Sequence, residues 1–397
     1  MREDEAGKGW RKKIFGDRLC GVKNNDYLCH MILKRLNILN YRNIASAELE
    51  FSPKVNCFVG QNGEGKTNVL DAIYFLSLTK SMTNTVDSMN VRHGEELMMV
   101  QGTYDLNGVE EDISLGMKLH QKKHLKRNLK ECQRLVDHIG LLPLIIASPN
   151  DSVIISGGSE ERRRLMDVVI SQYDSMYMKS LMKYNKMLRN RNIVLKLDED
   201  EYRDHDGLMD TFDAIMAMEG EQIYAKREAF IKEFVPVFQH FYSVISGDNE
   251  RVSLRYVSHC QQGDLHETLV RSRVKDRIVG HSLHGIHKDE LEMSLGDYPI
   301  KREGSQGQNK TYMISLKLAQ FDFLKRTGSQ TTPLLLLDDI FDKLDARRVE
   351  QIVNLVSSDA FGQIFITDTN RENLDKILER TQGNYKIFNV KGGEISD

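Results

Sequence analysis

From Met31 onward apolar and polar positions alternate. Ile32-Leu33-Lys34-Arg35-Leu36-Asn37-Ile38 reads as a strand, and Ala47, Leu49 and Phe51 repeat the period of two. Val55-Asn56-Cys57-Phe58-Val59 is a short apolar run, and Val69, Ile73 and Leu76 then fall on one helical face. Asn107-Gly108 marks a turn, and Asn128 predicts a second hairpin. Residues 31–155 are therefore expected to be mainly strands and turns. From 156 to 279 the period becomes helical, with Phe230, Phe234, Val237, Phe238 and Phe241 at i, i+4, i+7, i+8 and i+11. Pro236 predicts a kink there. The acidic run Asp198-Glu199-Asp200-Glu201 predicts a loop between helical blocks. After 280 strands return, then a helix with Tyr312, Leu316, Ala319 and Phe323 on one side, then an apolar strand from Leu334 to Leu337. The expected organisation is an α/β core in two separated stretches, 31–155 and 280–397, with a helical insert at 156–279.

Residues 1–30 differ from the rest. They are charged, punctuated by glycine and hold the single tryptophan, Trp10. Two readings stand: a disordered extension, or a segment upstream of a true start at Met31. A secretory signal is not expected, because no apolar core of the required length is present.

Charge narrows the partners. The chain has 397 residues and a formal net charge of −3, so no global basic field advertises nucleic acid. DNA contact would need a local patch. Lys122, Lys123, Lys126, Arg127, Lys130 and Arg134 form one, read either as solvated surface or as phosphate contact. Cys20, Cys29, Cys57, Cys132 and Cys260 make no C-x-x-C pair, which points to neither a zinc site nor a disulfide framework and suits a reducing cytoplasm. No apolar run approaches the roughly 18–20 residues of a membrane helix.

The chemistry is concentrated in Gly60-Gln61-Asn62-Gly63-Glu64-Gly65-Lys66-Thr67, which fits G-x-x-x-x-G-K-[ST] between a strand and a helix. Glycines let backbone amides curl around an anion, and the helix N-terminus adds a positive dipole end. Lys66 is expected to reach the β- and γ-phosphates of ATP, and the Thr67 hydroxyl to bind Mg²⁺. A second element is Leu334-Leu335-Leu336-Leu337-Asp338-Asp339, a buried parallel-type strand ending in two carboxylates. Open α/β sheets bind ligands at the carboxyl ends of such strands. Asp338 is the expected Mg²⁺ ligand, and Asp339 the group that orients or deprotonates the attacking water.

Gly304-Ser305-Gln306-Gly307-Gln308 precedes a helix and resembles the signature of ABC-type ATPases. With it the chain resembles the RecF family of bacterial recombinational-repair ATPases, in the ABC/SMC superfamily. Further segments carry the likeness from about residue 31 to the C-terminus. They are Leu39-Asn40-Tyr41-Arg42-Asn43, Asn68 after the phosphate loop, and Ala147-Ser148-Pro149-Asn150-Asp151. Glu161 to Asp167, Leu188-Arg189-Asn190-Arg191-Asn192, Gly285-Ile286-His287-Lys288-Asp289 and Leu337 to Asp345 belong with them. Ile286 and Lys288 stand where the family usually has Pro and Arg, and Thr83 where it often has Arg.

The resemblance implies an ABC-type P-loop ATPase head, lobe I of mixed sheet and flanking helices, with an inserted helical lobe II. It implies an ATP-dependent homodimer in which Ser305, Gln306, Gly307 and Gln308 of one copy cap the γ-phosphate held by the other. It implies binding at single-strand/double-strand DNA junctions, weak DNA-stimulated ATPase activity, and action with RecR and RecO to place RecA on gapped DNA, supporting the SOS response. Arg42 is a candidate nucleotide contact or a strand-end surface arginine. Lys122, Lys123, Lys126 and Arg127 are the candidate DNA contacts. Arg162, Arg163 and Arg164 have a simpler reading as partners of local carboxylates, and His287 as a buried structural histidine.

Other classes fit less well. A Rad50 or SMC head needs long coiled-coil arms, but 156–279 lacks heptads, and two equal helices from it would reach only about 90 Å at 1.5 Å per residue. The arginine-rich helix and Gly285–Asp289 argue against the nucleotide-binding subunit of an ABC transporter. No further carboxylate domain for a fused nuclease follows Asp345.

Overall fold

The computed structural model describes residues 30–397 apart from 248, 249, 328–330, 343, 359, 370 and 380–382; residues 1–29 and Lys343 lie outside the described residues. The strands in chain order are β1 (Met31–Tyr41), β2 (Ile44–Glu50), β3 (Val55–Val59), β4 (Leu97–Leu106), β5 (Val109–Lys118), β6 (His124–Arg127), β7 (Lys130–Glu131) and β8 (Leu144–Ala147). There follow β9 (Val252–Val257), β10 (Glu290–Leu295), β11 (Tyr298–Pro299), β12 (Leu334–Asp338), β13 (Ile364–Asp368), β14 (Tyr385–Lys391) and β15 (Glu394–Ser396). They form an antiparallel sheet in the order β2-β1-β4-β5-β6-β7, a mainly parallel sheet in the order β15-β14-β3-β13-β12-β8, and a small sheet β11-β10-β9.

The parallel sheet divides two apolar cores. Leu335 and Leu337 of β12, Ile364 and Ile366 of β13, and Val55 and Cys57 of β3 face the core shared with the helices of the insert. Leu334, Leu336, Phe365 and Phe58 face the other core, shared with the antiparallel sheet and the helix Lys66–Leu78. Successive strand side chains point to opposite faces, so a strand covered on both sides must be apolar at every position. That is why Leu334 to Leu337 lacks alternation. The helix Lys66–Leu78 lies between the sheets, with Val69, Leu70, Ala72, Ile73, Phe75 and Leu76 fully buried.

Both predicted turns have the geometry that suits a tight hairpin. Leu106 pairs with Val109 across Asn107 (φ 57) and Gly108 (φ 86), and Arg127 pairs with Lys130 across Asn128 (φ 48) and Leu129 (φ 66). Two successive positive φ angles match the twist of the flanking strands.

Expectations about three elements need correction. Asp198–Glu201 is not a loop: Asp198 accepts the Glu201 amide (3.0 Å), and Glu199–Asp204 is a short helix. Carboxylates in a first turn complement the positive helix end, so the acidic cluster marks a helix start. Val252–Val257 is a strand within the stretch expected to be helical; Val252, Leu254 and Tyr256 are buried and the strand pairs with β10. The helix Gln306–Thr327 is not one-sided, since Met313, Ile314, Leu318 and Phe321 are buried together with Tyr312, Leu316, Ala319 and Phe323. It is sandwiched between the helix Asp206–Ser246 and β8. The helix Asp206–Ser246 runs on through Pro236.

Ionic ties join the helical layer. Fully buried Arg191 donates to Asp213 (2.6 Å), Asp276 (2.7 Å) and the Ser282 hydroxyl (2.7 Å), tying the helices Ser175–Val194, Asp206–Ser246 and Leu265–Val279 together. Arg162 forks onto Glu290 at 2.5 and 2.7 Å, and Arg163 donates to the Asp289 carbonyl (2.7 Å). Arg162 also donates to the nearby Ile154 (3.1 Å) and Gly157 (3.2 Å) carbonyls, but its carboxylate partner is distant in sequence, not local as expected. His287 bonds Tyr184 through Nδ1 (2.8 Å) and the Ser282 carbonyl through Nε2 (3.1 Å), and burial holds it down at about 4, so it is neutral at pH 7.

Removing one partner of a buried ion pair leaves the other charge uncompensated. Arg191→Leu should therefore destabilise the chain by about 3–5 kcal/mol, read as a lower midpoint in denaturant melts. A midpoint shift worth less than about 1 kcal/mol would show that the cluster is not the tie described.

Candidate functional site

The loop 60–65 leaves β3 and enters the helix that begins at Lys66. Gly63 (φ 85) and Gly65 (φ 114) take left-handed backbone that a side chain resists. A Cβ at Gly65 would also lie 2.7 Å from the Asn43 side chain. Gln61, Asn62 and Gly63 are exposed. Among the described residues no side chain caps the helix N-terminus, so its first amides have no partner from a capping side chain. Lys66 is buried, and its ammonium donates to the Gly60 (2.8 Å) and Gln61 (3.1 Å) carbonyls. Charge, dipole and amides free of a capping side chain coincide at one loop, an arrangement suited to an anion.

Asp338 closes the site from the other side. It is 3% exposed, and its Oδ1 accepts from the hydroxyls of Thr67 (3.0 Å) and Thr367 (2.7 Å). Thr67 also reaches Oδ2 (3.1 Å). The contact spans 271 residues of sequence and sets a hydroxyl against a carboxylate. This hard oxygen pair fits Mg²⁺, which takes one or two protein ligands and fills its octahedron with phosphates and water. Burial pushes the Asp338 carboxyl above the ordinary range, against the hydrogen bonds of Thr367 and Thr67.

Asp339 follows in a left-handed conformation (φ 43). Its amide donates to Thr367, at the carbonyl (3.2 Å) and the hydroxyl (3.0 Å), and its carbonyl accepts from Lys310 (3.0 Å). Its Oδ1 is buried and has no hydrogen-bond partner among the described residues. Burial raises this carboxyl too; Lys66 opposes the shift and Asp368 adds to it. A carboxylate so placed is a better proton acceptor than a solvated one.

Arg42 does not lie loose on a strand end. At φ 55 in the β1–β2 turn, it reaches the start of the phosphate-loop helix and bonds Asn68 (2.7 Å) and buried Asp71 (2.8 Å). It also donates to Ser81 (2.9 Å) and Thr83 (2.6 Å). Asp71 accepts further bonds from Tyr41 (2.6 Å) and the Met82 amide (2.7 Å). Thr83, where family members often carry arginine, here supports Arg42.

Gly304–Gln308 opens the helix Gln306–Thr327. Ser305 and Gln308 form a reciprocal cap, with the Ser305 amide to Gln308 Oε1 (2.8 Å) and the Gln308 amide to Ser305 Oγ (3.2 Å). Ser305 and Gln306 are exposed, while Gly307 and Gln308 are half-buried. The structure thus brings together Gly60–Asn68, Arg42, Asp338 and Asp339, and sets the Ser305 turn on the surface.

The basic stretch divides. Lys123 pairs with Asp87 (2.8 Å), donates to the Thr79 carbonyl (2.5 Å) and lies over Phe75. Arg127 forks onto Glu111 at 2.8 and 2.7 Å. Lys122 and Lys126 are exposed. Sequence reading missed Thr367, Asp368, Asp71 and Lys310. The signal for the first two was present: Ile364-Phe365-Ile366-Thr367-Asp368 repeats the apolar-run-then-carboxylate form of Leu334–Asp338.

Comparisons with known proteins identify the family and the fold. The family described as RecF/RecN/SMC N terminal domain matches residues 32–396. The chain is 59% identical over 368 residues to the DNA replication and repair protein RecF of Phocaeicola vulgatus, covering 92% of this chain and 98% of that one. It is 60% identical to the protein of the same name from Bacteroides fragilis, with the same coverage. Among solved structures, the recombination mediator protein RecF-ATP in the RecFOR pathway aligns with TM-score 0.80 at 28% identity, covering 92% of this chain and 99% of that one. An Smc head domain derived from Pyrococcus furiosus aligns with TM-score 0.53 at 17% identity over 92% of this chain and 95% of its own, a likeness of fold alone. The fold is that of an ABC-type ATPase head.

Because burial raises the Asp338 pKa in the folded chain, ionising it at neutral pH costs stability. Asp338→Asn should raise the nucleotide-free melting temperature at pH 7. The advantage should fade as pH falls through the folded pKa toward the ordinary carboxylate value of about 3.9. Melts from pH 4 to 8 check this; an equal or lower melting temperature at pH 7 would contradict it.

Proposed function

The chain belongs to the RecF family, and on that premise we propose that it is an ATP-dependent DNA-binding protein of recombinational repair and replication-fork maintenance. The observation that carries the reading is the Thr67–Asp338 joint, which couples an anion-binding loop to a carboxylate pair at the end of a buried strand. The solved relative RecF-ATP in the RecFOR pathway supports the same ligand and pathway.

In this reading Gly60–Lys66 hold the triphosphate, with Lys66 turning from the Gly60 and Gln61 carbonyls toward the β- and γ-oxygens. Thr67 and Asp338 would hold Mg²⁺, which would supply positive charge against the phosphates. Asn68 and Arg42 sit beside the loop to orient the nucleotide. Asp339 accepts a proton from water as it attacks the γ-phosphorus, and ADP and phosphate leave. Ser305, Gln306, Gly307 and Gln308 of a second copy cap the γ-phosphate, so ATP holds a twofold dimer closed and hydrolysis releases it. The exposure of Ser305 and its helix start favours capture in trans. The division into lobe I (31–155 and 280–397) and lobe II (156–279) follows.

The closed dimer binds gapped or junction DNA mainly through phosphates, with Lys122 and Lys126 as contacts. Lys123 and Arg127 serve the fold first. RecR and RecO are the partners that couple it to RecA loading and SOS induction. Turnover is slow, stimulated by DNA, and takes place in the cytoplasm. No helix among the described residues is long and apolar enough to cross a membrane.

Asp339→Asn should slow ATP turnover by about 10²–10⁴-fold and trap the dimer. Ser305→Arg should leave nucleotide binding intact and block dimerisation. Light scattering with ATP, phosphate release and binding of a fluorescent ATP analogue read them; wild-type turnover in the first variant, or lost nucleotide binding in the second, would refute the assigned roles. Removing Lys122 and Lys126 together should reduce the slope of log affinity against log salt by about 2 on gapped DNA with ATP. An unchanged slope would exclude this surface.

A further inference from the structure

Glu64 makes contacts that a loop residue serving only as a spacer would not need. Its carboxylate accepts the Gly392 amide, and its carbonyl accepts the Gly393 amide (2.9 Å) and the Asn43 side chain (3.1 Å). Two separate turns therefore converge on one residue of the phosphate loop. The first is the turn of the β14–β15 hairpin, where Lys391 pairs with Glu394 across Gly392 (φ 59) and Gly393 (φ 86). The second is the β1–β2 turn, whose Asn43 also accepts from Asn68 (2.7 Å).

Steric constraints point the same way. β14 runs parallel to β3 with Asn389 beside Val59, so the hairpin emerges alongside the loop. A Cβ at Gly60 would overlap the Val390 carbonyl, and one at Gly393 would overlap the Asn43 carbonyl. Both glycines permit close backbone approach between hairpin, turn and loop. The loop's path is thus set by contacts outside its own motif. An acidic side chain beside a triphosphate site would repel the ligand if free. Here the carboxylate is turned onto a backbone amide.

We propose that Glu64 is a positioning residue: with the Gly392-Gly393 turn it forms a clasp that presets the phosphate loop for nucleotide and carries nucleotide occupancy to the β14–β15 hairpin. The proposal rests on reading the loop as the nucleotide site. Preset amides bind an anion without first ordering the loop. Coupling is reciprocal, so bound nucleotide must in turn steady the hairpin.

Affinity for a fluorescent ATP analogue with Mg²⁺ tests this in three variants of the full chain. Glu64→Ala should bind about tenfold more weakly, the loss of a hydrogen bond to a charged acceptor. Glu64→Gln loses the same charge but keeps an acceptor oxygen, and should stay within about threefold of wild type. The nucleotide-free melting temperature should be the same in both, which separates positioning from support of the fold. Hydrogen exchange at Gly392 should slow with the analogue in the wild type and not in Glu64→Ala. Wild-type affinity in Glu64→Ala, equal weakness in Glu64→Gln, or exchange at Gly392 indifferent to nucleotide would each overturn the clasp. Lys66→Ala separates the two readings: it should abolish binding. Retained binding there would refute the nucleotide site itself, whereas abolished binding with a neutral Glu64→Ala would refute the clasp alone.

Discussion

A buried carboxylate holds the site together. Asp338 receives Thr67 from the phosphate-loop helix and Thr367 from the neighbouring strand, and burial keeps it from water. A buried charge persists only when it is hydrogen-bonded. The hydroxyls meet that need, and in doing so they bring loop, β12 and β13 to one point. Burial makes the ionised group costly, and the two hydroxyls offset part of that cost.

The scaffold that delivers Asp338 is the parallel sheet with a core on each face. Its central strands β3, β12 and β13 are five residues long. Alternating side chains of β12 and β13 anchor them in two cores at once. A one-residue slip would exchange the sets of side chains between cores of different shape and carry Asp338 away from Thr67. Precision at the strand end thus comes from packing along the strand.

Around that centre the loop is braced by distant parts of the chain. Arg42 bridges Asn68 and Asp71 from the β1–β2 turn, and Glu64 takes amides from the β14–β15 turn. Lys310, in the helix that begins just after Ser305, bonds the carbonyl of Asp339. The helix that the Ser305 turn opens is thus tied to the carboxylate pair within one copy.

Local chemistry made much of this legible in the residues themselves. The phosphate loop, the apolar strand with its two aspartates and the Asn-Gly turn declare themselves because each needs particular residue types at fixed spacing. Family likeness extended the reading along the chain. The acidic helix start at Asp198, the strand Val252–Val257 and the burial of the helix Gln306–Thr327 on all sides escaped it, since caps, pairing partners and neighbours lie outside a local window. The same holds for Lys123 and Arg127, whose charges look free in sequence and are engaged by Asp87 and Glu111 in space. Sequence by itself determined the chemical parts: a phosphate-loop motif, a carboxylate pair, a signature-like pentad ahead of a helix. Only the tertiary structure decided which parts meet, because hydrogen bonds such as Thr67 to Asp338 form between segments that nothing but the packed cores brings together.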